Sequence, residues 1–123
     1  MKGKSLIVEK SFRFAVRVVN LFKYLCDDKK EFVLSKQLLR PGTSIGANVR
    51  EAHNAESKAD FIHKMGIAQK EADETNYWLE LLFEIKYLTE IEFRSIHNES
   101  VELLKIIKSI ILTSKQNSKS HIS

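Results

Sequence analysis

Six cations in the first half of the chain are spaced so that they can grip a polyanion. Lys10, Arg13 and Arg17 follow one another at steps of three and four, and Lys36, Arg40 and Arg50 come further along. Steps of three and four put side chains on one face of a helix, so the first trio predicts a basic stripe. Phosphate contacts need only positive charge within reach, and they make affinity fall steeply as salt rises. No base-reading motif accompanies these cations, so the binding they predict has weak sequence selectivity. Charge is divided along the chain. Residues 1–50 carry eleven Lys/Arg against four Asp/Glu, a net of +7, whereas residues 51–114 carry seven against twelve, a net of −5, within an overall +4. Two arrangements fit this polarity: a basic surface facing nucleic acid or an acidic partner, or basic helices paired with acidic ones within a subunit or between copies.

Other chemistry is thinly represented. Asp60 and His63 have the one-turn spacing of a carboxylate–histidine metal pair, but di-iron bundles need two Glu-x-x-His pairs plus two further glutamates. Glu71/Glu74 and Glu80/Glu84 are one-turn carboxylate pairs of the kind found on solvated helix faces. His53, His63, His97 and His121 are scattered, and Cys26 sits in an apolar series that predicts a buried, reduced thiol. The stretch LLRPGTSIGANVREA holds a proline and two glycines, yet no strand precedes it and no lysine follows Gly46, so it is not a phosphate loop. No catalytic, cofactor-binding or metal-binding residues are expected, and the chain is not expected to be an enzyme.

The elements that must position the cations are helices. Four segments repeat apolar residues at alternating steps of four and three. They are Val8, Phe12, Ala15, Val19, Phe22, Cys26; then Leu34, Leu38, Pro41, Ile45, Asn48, Ala52; then Phe61, Met65, Ala68, Ala72, Thr75, Leu79, Leu82; then Phe93, Ile96, Ser100, Leu103, Ile107, Ile110. Ser57 to Asp60 and Thr89 to Glu92 have the spacing of capping boxes at helix starts. The expected fold is all-α, an antiparallel up-down four-helix bundle over 1–114, followed by a flexible polar tail over 115–123. Gly42 and Gly46, with Ser44 and Ala47 beside them, make a helix surface of low relief for a close neighbour, and Pro41 predicts a kink. Surplus apolar residues predict a subunit interface: Tyr77, Trp78, Leu81, Phe83, Ile85 and Leu88, with Val18, Leu25, Val101, Leu104 and Ile111. No apolar run approaches the ~20 residues of a membrane span. The N-terminus lacks a signal-peptide core, which predicts a cytoplasmic protein that does not engage membrane.

Two blocks carry a resemblance. TSIGANVREA followed by FIHKMGIAQKEADETNYWLELL resembles the 23S rRNA intervening-sequence protein family. Ser44, Ile45, Asn48 and Glu51 match its first block, and Ala68, Glu74 and Tyr77 its second. Pro41 departs from the helix-forming residue usual there, which bears on the straightness of this helix, and Ala52 stands where the family often has glycine, which places the turn after the helix later. The resemblance implies a four-helix bundle. It also implies kinship with the accessory protein of diversity-generating retroelements, which assembles as a pentameric ring whose basic surface engages nucleic acid and a reverse transcriptase. The expectations for this chain are therefore a homo-oligomer, a pentamer on the strength of the resemblance, with RNA or DNA or a protein as partner. Ser44, Asn48 and Glu51 fall on one helix face, where Glu74 and Tyr77 of an antiparallel neighbour could meet them. This is a structural polar network if all its donors and acceptors are matched.

Overall fold

The computed structural model describes the backbone of residues 2–122 and the side chains of residues 6–117. Four helices account for nearly all of it: α1 (Lys2–Asp27), α2 (Leu34–His53), α3 (Lys58–Glu84) and α4 (Glu90–Ile122). Each helix packs on its sequence neighbours, and α4 closes the ring onto α1 through the lightest contact of the four. Short connections force adjacent helices antiparallel, which gives the up-down bundle. Helix α4 continues beyond Ser114 to Ile122, although the apolar repeat stops; side chains of 118–123 lie outside the described residues.

The core contains Leu38, Ile45, Val49 and Ala52 from α2, Met65, Ala68, Ala72, Leu79 and Leu82 from α3, and Ile96, Leu103 and Ile107 from α4. These follow the expected stripes closely. On α1 the expected stripe is displaced. Ile7, Ser11, Phe14, Val18 and Leu25 are the fully buried residues, while Phe12 is 54% exposed. Helix α1 carries two overlapping apolar stripes, and the one with Phe14 at its centre faces inward. Ser11 belongs to that stripe because its hydroxyl donates back to the Ile7 carbonyl at 2.7 Å, leaving nothing polar unmet. The surplus residues expected to face another subunit also resolve differently. Val18 and Leu25 are fully buried, Leu88 and Ile111 belong to the same core, and Trp78 and Leu104 pack against it. Of the surplus from Tyr77 to Leu88, Tyr77 and Ile85 alone are exposed.

Small residues let α1 and α2 approach closely. A Cβ on Gly42 would stand 2.7 Å from Val18 Cγ1, and one on Gly46 would stand 3.0 Å from the Ser11 carbonyl oxygen. The low-relief surface expected on α2 is thus occupied by α1. Helix α2 passes uninterrupted through Pro41, which is itself buried.

Helix starts are held by three different devices. Thr89 and Glu92 form the expected reciprocal box: the Thr89 N–H donates to Glu92 Oε1 at 2.8 Å, and the Glu92 N–H to Thr89 Oγ1 at 3.2 Å. At α3, Ser57 Oγ accepts from the Asp60 N–H at 3.0 Å. At α2 the preceding residue is Val33, which has no oxygen to offer. Glu31 reaches in instead, accepting from Ser35 N–H at 2.7 Å, Leu34 at 3.0 Å and Val33 at 3.3 Å. Burial pushes its carboxyl upward, but these amide donors outweigh that effect and hold it below the ordinary carboxylate range.

Candidate nucleic-acid interface

The two basic trios meet different fates. On α1, Lys10, Arg13 and Arg17 lie on the flank that turns toward α4. Lys10 Nζ is 3.0 Å from Glu102, and Arg17 pairs with Glu99 while also donating to the Ser95 carbonyl and hydroxyl. Arg13 pairs with Glu9 one turn back, at 2.6 Å. Lys10 and Arg17 of α1 are therefore neutralised by Glu102 and Glu99 of α4 along the seam where the helices touch least. Pairs this exposed contribute only ~0–1 kcal/mol each. Even so, they occupy the charge that a phosphate would need.

On α2 the outcome is reversed. Lys36, Arg40 and Arg50 are exposed, and among the described residues none has a carboxylate within ion-pair distance. Lys36, Arg40, Thr43, Ala47 and Arg50 follow at steps of four and three on the side of α2 opposite its core residues. Glu51 is the one acid on this helix, and Lys64 of α3 binds it at 3.0 Å. That pairing holds the Lys64 ammonium above its ordinary value, mainly through the hydrogen bond to Glu51.

An open groove of about 720 Å³ runs beside this stripe. It is walled by α1 through Phe12 and Ala15, by the outer side of α2 from Thr43 to Glu51 with Asn54 just beyond the helix, and by Asp60 and Lys64 of α3. Within it the Arg50 guanidinium stands 5.6 Å from the centre of the Phe12 ring. A charge count finds Arg50 but not its aromatic neighbour, because Phe12 reads as a core residue on the displaced α1 stripe.

The five residues expected to form a polar network do not meet in one cluster. Ser44 Oγ donates to the Arg40 carbonyl at 2.7 Å, and Asn48 Nδ2 to the Ser44 carbonyl at 2.9 Å, both within α2. Glu74 accepts from Trp78 Nε1 within α3, and Tyr77 is 58% exposed. Glu51 alone links the two helices, through Lys64.

The remaining candidates also fall into place. Cys26 is half-buried with its Sγ 3.6 Å from Ser35 Oγ, and His63 is exposed. Among the described residues, no three His, Cys, Asp or Glu side chains converge as metal ligands would. Nor, among them, is any helix long and apolar enough to cross a membrane.

Fold and surface together define an all-α four-helix bundle with one charged, grooved face. The chain belongs to the 23S rRNA-intervening sequence protein family, whose model matches residues 4–109. It is similar to a crystal structure from Bacteroides thetaiotaomicron of a protein with unknown function from the S23 ribosomal protein family. The two share 56% sequence identity with a TM-score of 0.87, over 89% of this chain and 97% of that one. No relative is found among curated proteins.

Proposed function

We propose that this protein is a non-catalytic, oligomeric bundle scaffold whose α2 face binds nucleic acid. The observation that carries this reading is the contrast between the trios. Lys10, Arg13 and Arg17 are paired with carboxylates, whereas Lys36, Arg40 and Arg50 form a stripe on the outer side of α2 that has no carboxylate partner among the described residues. The stripe spans about 21 Å at the helical rise of 1.5 Å per residue, enough to follow several phosphates. A homo-oligomer, a pentamer if the retroelement kinship holds, would repeat the stripe in each subunit and raise avidity. A nucleic-acid enzyme that presents its bound strand is a compatible partner.

The test is salt-titrated fluorescence anisotropy on the assembled protein. Lys36→Ala, Arg40→Ala and Arg50→Ala together are expected to abolish binding at moderate salt. At low salt they should flatten the log K against log salt slope by about 0.7 for each phosphate of a single strand that is no longer neutralised. Lys10→Ala, Arg13→Ala and Arg17→Ala together are expected to leave both quantities near wild type. A wild-type protein that binds no RNA or DNA at low salt would reject this reading and leave a protein-interaction module, its basic half matched to acidic helices.

A further inference from the structure

We infer that the groove between α1 and α2 is a stacking site for the bases of single-stranded RNA, with Phe12 as the platform. This inference rests on the reading that the α2 stripe meets phosphates. Phe12 is a large aromatic left 54% exposed on an outward face, beside Val16, itself 46% exposed. An exposed aromatic of that size has no role in the core, which Phe14 fills from the opposite face of the same helix. Its neighbour across the groove is Arg50, whose guanidinium stands 5.6 Å from the ring centre and carries no carboxylate partner among the described residues. Arg50 lies over one face of the Phe12 ring, so a base stacks on the part of the ring left exposed while its phosphate meets the guanidinium beside it. The groove, about 720 Å³, is open to solvent along its length, as a strand crossing the surface requires.

Direction and strand type follow from the same walls. At its α3 end the groove carries Glu51 and Asp60 against the single cation Lys64, which pairs with Glu51, so a polyanion leaves the platform the other way, toward Arg40 and Lys36. Duplex bases are stacked on one another and cannot reach Phe12, which selects single strands. Thr43 and Asn54 line the groove, and the Asp60 carboxylate stands at its edge. These groups can hydrogen-bond a ribose 2′-hydroxyl, which deoxyribose lacks, so RNA is the occupant to which the chemistry commits.

The experiment compares wild type with Phe12→Ala, Phe12→Leu and Phe12→Trp on labelled single-stranded oligouridylate of about twelve nucleotides, with oligodeoxythymidylate and duplex RNA as parallel probes. Phe12→Ala and Phe12→Leu are expected to weaken oligouridylate binding by roughly tenfold, the scale of one base–aromatic stack. The salt slope should stay intact, because no cation has been removed. Phe12→Trp should bind at least as well as wild type, and duplex RNA should respond to none of the three. Full affinity in Phe12→Leu would overturn the stacking inference, because an apolar side chain without a π face would then suffice. Equal affinity for the DNA strand would overturn the commitment to RNA. A change of assembly mass in Phe12→Ala would also overturn it, by placing Phe12 at a subunit contact. In each of these cases, loss of binding in the Lys36/Arg40/Arg50 variant still upholds the nucleic-acid reading. Only a wild type that binds nothing removes both.

Discussion

Glu31 holds the start of α2 from outside the usual capping position. Three backbone amides converge on its carboxylate, and the Ser35 hydroxyl donates back to the Glu31 carbonyl at 2.8 Å, so the turn before α2 is tied at both ends. Only the ionised carboxylate accepts all three amides well. Glu31→Gln keeps the shape and removes the charge, and it should lower stability by about 1–2 kcal/mol at neutral pH, as removal of a charged cap does. The pH dependence has a definite sign. Because the folded-state carboxyl is held below its ordinary value, its contribution is complete above about pH 4.3, where the unfolded residue is ionised. It is lost as pH falls through the lower folded value. Urea melts of wild type and Glu31→Gln should therefore differ at pH 7 and converge in strong acid. A gap that stays constant down the acid limb would show that the loss does not come from the carboxylate's charge. Glu92 adds to the same limb: its carboxyl is held low, first by the Thr89 amide.

Helix α1 shows at the element scale what sequence can and cannot convey. On α3 and α4 periodicity locates Met65 to Leu82 and Ile96 to Ile107 in the core, although both helices carry further apolar residues outside that stripe. Helix α1 has two stripes with identical steps, and Ser11 interrupts the true one. Spacing cannot choose between them. The choice is made by α2, whose Gly42 and Gly46 admit Val18 and the Ser11 backbone. The cation site has the same character: that Lys10 and Arg17 are consumed depends on α1 lying beside α4, which no local pattern encodes. The glycines make this testable. Gly42→Ala should destabilise by roughly 1–3 kcal/mol, since its Cβ meets a buried, β-branched Val18 that cannot move aside. Gly42→Ala and Gly46→Ala both gain up to about 1 kcal/mol in helix propensity. Gly46→Ala makes the less severe contact, 3.0 Å from the Ser11 carbonyl oxygen against 2.7 Å from Val18, so its net loss should be smaller. Gly66→Ala meets nothing within 4 Å and should stabilise by about 0.5–1 kcal/mol. Thermal or urea denaturation orders the three. Gly42→Ala as stable as wild type would mean that α1 and α2 are less tightly engaged than their geometry implies.

Assembly and binding compete for surface at the scale of the whole molecule, and this competition supplies the last prediction. One end of the bundle gathers the α1–α2 and α3–α4 connections and leaves Phe32, Val33, Ile85 and Ile91 exposed, Ile91 by 82%. This apolar end is the part of the surface best suited to a contact that excludes water. The alternative contact is electrostatic. The outer stripe of α3 carries Asp73, Tyr77, Glu80 and Glu84, all exposed, and it complements the α2 stripe of a second copy. Such a head-to-tail contact generates a ring if its rotation closes, but it consumes Lys36, Arg40 and Arg50. Salt separates the two, because it screens exposed charge and leaves apolar burial intact. Light scattering is expected to give an oligomer mass at micromolar concentration that is unchanged between low and high salt, while RNA binding measured in the same buffers disappears at high salt. Ile91→Asp with Val33→Asp should then release monomers of normal helicity. A monomer mass in every buffer would end the oligomer reading. A mass that falls as salt rises would assign the α2 stripe to the subunit contact, and with it remove the surface that the nucleic-acid reading requires.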